Sequence, residues 1–277
     1  MIVRQGVGQR ILRIPGGFIR DVAPRGARDY EPNEITGLQL WLDFSDATTL
    51  YQDAGKTTLV SADNQGIGCA ADKSGNGIDA TQATADEEPL YKTGIQNSLS
   101  AGLWDGADDS LNCGDNEVHS NTTGLEIIIA CNNSLDTNQA ILINKYSTIA
   151  PGYRQYNCVV NPSATTMYWS VQELAGSADA NTQIHFTQPN GWVIFDFSWT
   201  PGGNPIAYVN NVSQGSAASA VTDITDTTTP LLIGHYLDGG PFLGWRSYIG
   251  EVVIYNKALS VAERTGLYNH LKSKWGL

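Results

Sequence analysis

The run Trp192-Val193-Ile194-Phe195-Asp196-Phe197-Ser198-Trp199 constrains this chain more than any other stretch. It is aromatic and β-branched and lacks a helical period, so it is expected to form a central strand. Shorter runs of the same kind recur along the chain. Leu38–Asp43 alternates apolar and polar residues, as a strand with one buried face must. Ile78–Gln82, Leu125–Cys131, Ala140–Asn144, Cys158–Val160, Met167–Val171, Leu231–Gly234 and Tyr248–Tyr255 read as further strands. Leu103–Leu111 reads as strand–turn–strand, and Ile206–Val212 as a hairpin turning on Asn210-Asn211. Gly- and Asn-rich turns such as Asp72-Lys73-Ser74-Gly75-Asn76-Gly77 separate these runs. Strands at this spacing predict an all-β, two-sheet antiparallel sandwich.

One helix interrupts the pattern. Ser260-Val261-Ala262-Glu263 is a capping box, and Leu267, Tyr268, Leu271 and Trp275 follow at helical spacing. Gly276 stands where that helix should stop.

Residues 1–36 differ from the rest. They mix small apolar residues with arginine and contain Pro15-Gly16-Gly17, Pro24 and Pro32, which argues against helix. Too little apolar surface is present for this stretch to fold alone, so it reads as an extended arm that lies on the body or on a partner. Within residues 1–28, Arg4, Arg10, Arg13, Arg20, Arg25 and Arg28 stand against the single acid Asp21, a net of +5, which leaves −17 for residues 29–277 of a chain of formal charge −12. A body this acidic repels nucleic acid and anionic lipid, and six dispersed arginines are too few for a nucleic-acid footprint. With Phe18, the arginines suit attachment to another protein. The domain boundary is therefore placed between an arm, 1–36, and a body, 37–277.

Cys69, Cys113, Cys131 and Cys158 form neither CxxC nor a zinc-spaced cluster and read as buried free thiols. Arg10 and Arg13 interrupt any apolar core near the N-terminus, and no run is long enough for a membrane span. Folding in a cytoplasm is expected, with export only as part of a particle.

Three groups of residues carry a resemblance: Leu38–Asp43; Asp72–Gly77 with Ala80-Thr81-Gln82; and Trp104-Asp105-Gly106-Ala107-Asp108-Asp109. Ile249–Ser260 and the closing Lys274-Trp275-Gly276-Leu277 add to it. Over residues 37–277 the chain resembles the concanavalin A-like, laminin-G-like jelly-roll domains. The resemblance implies two curved antiparallel sheets, one of them often used for glycans. Similar domains occur in tailed-bacteriophage virion proteins, bacterial surface proteins and lectins.

Candidate chemistry is sparse. Asp105, Asp108 and Asp109 could offer oxygens to calcium, but lack EF-hand spacing and read more simply as caps on backbone amides. Retaining glucanases on this fold carry an E-x-D-x-x-E strand motif, with carboxylates about 5 Å apart. None occurs here, and Glu126 and Glu251 each stand alone on their strands. His119, His185, His235 and His270 are scattered and belong to no hydrolase motif. The loop His235–Arg246 offers Tyr236, Asp238, Trp245 and Arg246 as a lip for stacking and fixing a sugar. The expected protein is not an enzyme and needs no cofactor beyond an optional calcium. It is expected to be a virion structural protein, a capsid decoration or head fibre anchored by its arm. Its expected partners are virion proteins, copies of itself and host glycans. The competing expectation is a receptor-binding tail fibre or tail-tip protein, and a polysaccharide hydrolase is third.

Overall fold

A computed structural model describes residues 28–116, 123–133, 140–146, 154–161, 166–175, 178–224, 228–236 and 243–277. The strands are β1 (Leu38–Asp43), β2 (Leu50–Tyr51), β3 (Cys69–Ala70), β4 (Ala80–Thr81), β5 (Leu90–Gln96) and β6 (Leu99–Leu103). Next come β7 (Leu111–Asn112), β8 (Leu125–Asn133), β9 (Ala140–Tyr146), β10 (Arg154–Asn161), β11 (Thr166–Ala175) and β12 (Ala178–Thr187). The last are β13 (Gly191–Trp199), β14 (Ile206–Val209), β15 (Val212–Ser216), β16 (Leu232–Ile233), β17 (Leu243–Gly244) and β18 (Tyr248–Tyr255), followed by helix α1 (Val261–Trp275).

These strands make two sheets. The first runs β15-β14-β13-β8-β18-β6-β5, with β1 paired to β18 beyond the stretch that β6 uses. The second runs β12-β11-β10-β9-β16-β7-β4-β3-β2. The expected antiparallel sandwich is present, with one parallel pair among the described residues, β17 on β9. Asn210 and Asn211 both take positive φ, 51° and 61°, which gives the expected hairpin its tight turn.

The main core lies between the sheets. Leu125, Ile127, Ile129 and Cys131 of β8 and Val193, Phe195, Phe197 and Trp199 of β13 point into it. Trp169 of the second sheet stacks on Phe197 at 5.1 Å, which fixes the distance between layers. All four cysteines are buried and free, as read from the sequence.

The alternate residues of β8 and β13 face the other way. Ile128, Ala130 and Ile194 form a second cluster with Leu267, Leu271 and Trp275 of α1. The centre of this first sheet, β8 and β13, is therefore buried on both faces, which explains why β8 reads as a nearly continuous apolar run. The helix starts at the predicted capping box, where Ser260 Oγ accepts from Glu263 N and Ser260 N donates to Glu263 Oε2. It ends at Gly276, left-handed at φ 65°. The Trp275 ring packs so closely on Gly250 that a Cβ there would fall 2.4 Å from it.

Residues 28–36, assigned to the arm from sequence, lie on the body as a strap. Tyr30 N donates to Gly266 O, Tyr255 Oη donates to Pro32 O, and Ile35 is buried in the helix-side cluster. Arg28 is engaged locally: its guanidinium lies over the Tyr30 ring and pairs with Glu34. The other arm residues, Arg4, Arg10, Arg13, Phe18, Arg20 and Arg25, lie outside the described residues.

Candidate functional site

The structure divides the predicted glycan lip. Trp245 is 2% exposed and belongs to the main core, while Tyr236 is 2% exposed and packs on Ile141 and Val159. Neither ring offers a free face to a sugar, which corrects the sequence reading. The physical reason is that large rings in a thin sandwich contribute more by filling apolar space than by standing in solvent. Asp238 lies outside the described residues. Arg246 is exposed, and its stem packs on Gly106, where a Cβ would sit 2.7 Å from the Arg246 Cβ. The end of the lip therefore meets the acidic turn.

In that turn, Asp105 and Asp108 are exposed and Asp109 is buried, with one oxygen of each within 4.8 Å of the others. Asp109 Oδ2 accepts from Asp105 N at 2.8 Å, and Asp105 Oδ1 accepts from Ala107 N at 2.7 Å. Burial pushes the Asp109 carboxyl up to about 7. The Asp105 N–H opposes that shift, and the Asp105 and Asp108 charges add to it. Oxygens committed to backbone amides and a carboxyl that keeps its proton towards neutrality make a capped turn, a poor start for a calcium cage.

A better-assembled surface lies on the outer face of the second sheet. Asn144 of β9 stands opposite Asn157 of β10, Asn157 opposite Ser170 of β11, and Ser170 opposite Gln183 of β12. Four hydrogen-bonding side chains thus cross four neighbouring strands in one row, about 4.8 Å apart. Ser170 Oγ donates to Asn157 Oδ1 at 2.5 Å. A parallel row runs Ile141, Val159, Tyr168, His185. Asn144, Asn157 and Ser170 are buried, whereas Gln183 and His185 are exposed and Tyr168 is half-buried. The Tyr168 and His185 rings lie 5.2 Å apart, tilted by 43°, and His185 Nε2 is 3.2 Å from Gln183 Oε1. One row over, Gln172 is buried with no acceptor for its Nε2. Ring faces beside amides and a hydroxyl are what polyol recognition requires. Sequence reading passed over Gln183 and left His185 among the scattered histidines, because it found no strand there. The signal was present: in Gln183-Ile184-His185-Phe186-Thr187 the apolar residues are buried and their neighbours exposed.

Glu126 and Glu251, alone in sequence, both have carboxylate neighbours in space. Arg264 Nε lies 2.7 Å from Glu126 Oε1 and 2.9 Å from Asp196 Oδ2. Lys274 Nζ lies 2.7 Å from Glu251 Oε2 and 2.9 Å from Asp43 Oδ2. Both pairs sit beneath α1. The crevice beside Asp196, lined by Ile128, Ile194, Asn211, Arg264 and Tyr268, measures about 10 Å³, room for one water and none for a sugar ring. Among the described residues, His185, His235 and His270 join no cluster of three or more metal ligands.

Residues 105–263 match the model of a family described as the concanavalin A-like lectin/glucanases superfamily. No curated protein matches the sequence. Among solved structures, the binding domain of Paraclostridial mosquitocidal protein 1 is similar at TM-score 0.59 and 14% identity, over 87% of this chain and 53% of that one. The ligand-binding domain of botulinum neurotoxin serotype D, in complex with N-acetylneuraminic acid, is similar at TM-score 0.53 and 13% identity, over 84% of this chain and 51% of that one. The binding domain of botulinum neurotoxin DC, in complex with rat synaptotagmin II, is similar at TM-score 0.51 and 11% identity, over 87% and 52%. This chain spans about half the length of those solved chains, and at such identities the likeness is one of fold.

Proposed function

This chain belongs to the concanavalin A-like lectin/glucanases superfamily, and on that premise we propose that it is a non-catalytic binding module for carbohydrate. The observation that carries this reading is the outer face of the second sheet, where the half-buried Tyr168 and the exposed His185 and Gln183 form a ledge beside the buried row Asn144, Asn157 and Ser170. The ledge supplies a ring face, an imidazole and an amide to a saccharide, and the row behind it holds the strands in register. The carboxylate pairs are enclosed under α1, which supports binding over hydrolysis. Support also comes from the neurotoxin domain of the same fold that carries N-acetylneuraminic acid. Tyr168→Ala removes the ring and is expected to weaken binding of a saccharide ligand by tenfold or more, the effect of about 1.5 kcal/mol of lost apolar contact. Tyr168→Phe should retain most of it. A glycan array followed by calorimetry measures both. Equal affinity for the alanine variant and the parent would remove the site from this face.

A second reading concerns where the module sits, and the charge asymmetry favours it. We propose that Arg4, Arg10, Arg13, Phe18, Arg20 and Arg25 tie an acidic body to a bacteriophage virion, as a capsid decoration or head fibre or, alternatively, within a tail fibre. Copies of the chain would follow the symmetry of the particle. Because residues 28–36 pack on the body, the informative truncation removes residues 1–27 only. The truncated protein should fold and keep its sugar binding yet fail to join purified particles. Full occupancy on particles would end the tether reading.

A further inference from the structure

Beneath α1, two carboxyl groups depend on one cation. Glu126 on β8 and Asp196 on β13 both reach the Nε of Arg264, at 2.7 and 2.9 Å. The rest of that guanidinium is already committed: Nη1 donates to Tyr208 Oη, and Nη2 donates to Ser198 Oγ and Leu259 O. Glu126 is 0% exposed and is further held by Leu259 N, which donates to Oε2 at 3.0 Å. Asp196 is 4% exposed, and its Oδ1 is buried with no hydrogen-bond donor. Among the described residues, the titratable and charged groups facing the pair are Tyr208 from β14, Tyr255 from β18, and Arg264 and Tyr268 from α1. Arg264 therefore supplies one positive charge to two buried carboxyls. A second uncompensated charge in this place would cost several kcal/mol, so one of the two groups must stay neutral.

We propose that Asp196 carries a proton between itself and Glu126, and that this proton locks α1, together with the 28–36 strap bound to it, onto the outer face of the first sheet. The carboxyl of Asp196 keeps the proton and hydrogen-bonds the Glu126 carboxylate, while Arg264 balances the one remaining negative charge. Burial, then the Glu126 charge, hold Asp196 well above the usual carboxylate range, with Arg264 opposing only in part. When α1 lifts, both groups meet water and Asp196 ionises at its ordinary value. The closed form thus binds one more proton than the open form, and stability of the closed form is lost as pH rises. The lock is tightest in acid and loosens towards alkaline conditions.

The test is amide exchange of Leu267 and Leu271 in the full chain, corrected for intrinsic exchange, between about pH 5 and pH 8. The opening equilibrium of the parent is expected to rise about tenfold per pH unit, the signature of one linked proton. Asp196→Asn, which keeps an acceptor for Arg264 and a donor for Glu126, should flatten that slope. Glu126→Gln, which leaves Asp196 the only carboxylate on Arg264, should flatten it too. Infrared difference spectra should show a protonated carboxyl in the parent that is missing from Asp196→Asn. A flat slope in the parent, an unchanged slope in either variant, or no protonated carboxyl band in the parent would each overturn the proposal.

Discussion

Replacing Arg264 with alanine is expected to destabilise the fold by about 3–5 kcal/mol, the usual result of removing one partner from a buried charge network. Arg264 is 7% exposed and engages five residues: Glu126 on β8, Asp196 and Ser198 on β13, Tyr208 on β14, and the Leu259 carbonyl before its own helix. Its guanidinium also lies 4.4 Å from the Tyr208 ring centroid. Alanine would leave the Glu126 charge buried without a cation, and the second carboxyl could no longer share it. In a chain of this size the melting temperature should fall by on the order of 10 °C. The mechanism makes a further demand. In a background of Glu126→Gln and Asp196→Asn, the same Arg264→Ala change should cost much less, because no buried charge remains to be orphaned. Equal losses in both backgrounds, read by denaturant unfolding, would show that Arg264 acts through packing of its stem alone.

The clarity of each element in sequence followed from how local its signal was. The capping box at Ser260 and the left-handed stop at Gly276 need only a few residues, and both stand where they were read. Leu38–Asp43 and Tyr248–Tyr255 agree with their strands at both ends, because one face of each alternates or both faces are apolar. The hairpin of β5 and β6 escaped notice although Asn97 and Ser98 both take positive φ, 48° and 62°. Asn-Ser in place of Asn-Gly weakens the turn signal, and Gly94 inside β5 breaks the strand pattern. Edge strand β12 was lost in the polar run Ala178–Thr187 for a similar reason.

The candidate sites depended on long-range geometry, which a linear reading lacks. Tyr236 and Trp245 looked like lip residues because a loop rich in glycine surrounds them, and only the fold reveals that Trp245 fills the main core and that Tyr236 is buried against Ile141 and Val159 on the outer face of the second sheet. Glu126 looked solitary because its neighbour Asp196 lies seventy positions away and meets it only when β8 and β13 pair. The row Asn144, Asn157, Ser170, Gln183 likewise exists only in the register of four strands.

The other end of α1 depends on Glu251, and Glu251→Ala is expected to cost about 3–5 kcal/mol as well. Glu251 is 0% exposed and accepts from three donors: Trp41 Nε1 at 2.7 Å, Trp275 Nε1 at 3.3 Å and Lys274 Nζ at 2.7 Å. Removing the carboxylate leaves two buried indole N–H groups without an acceptor. It also leaves Lys274 with Asp43 as its one carboxylate, which Lys73 and Ser45 already engage. Glu251→Gln separates these contributions. The amide oxygen can still accept from an indole, so the glutamine variant should lose only the charge-assisted part, about 1–2 kcal/mol. The effect should also be visible locally. Trp275 stacks on Trp192 at 5.0 Å with its ring 12° from parallel, so loosening the C-terminal turn of α1 should shift tryptophan fluorescence before global unfolding. If alanine and glutamine prove equally costly, the carboxylate charge matters more than its acceptor geometry. If both are harmless, the two indoles have other acceptors in solution and α1 is held by apolar packing alone.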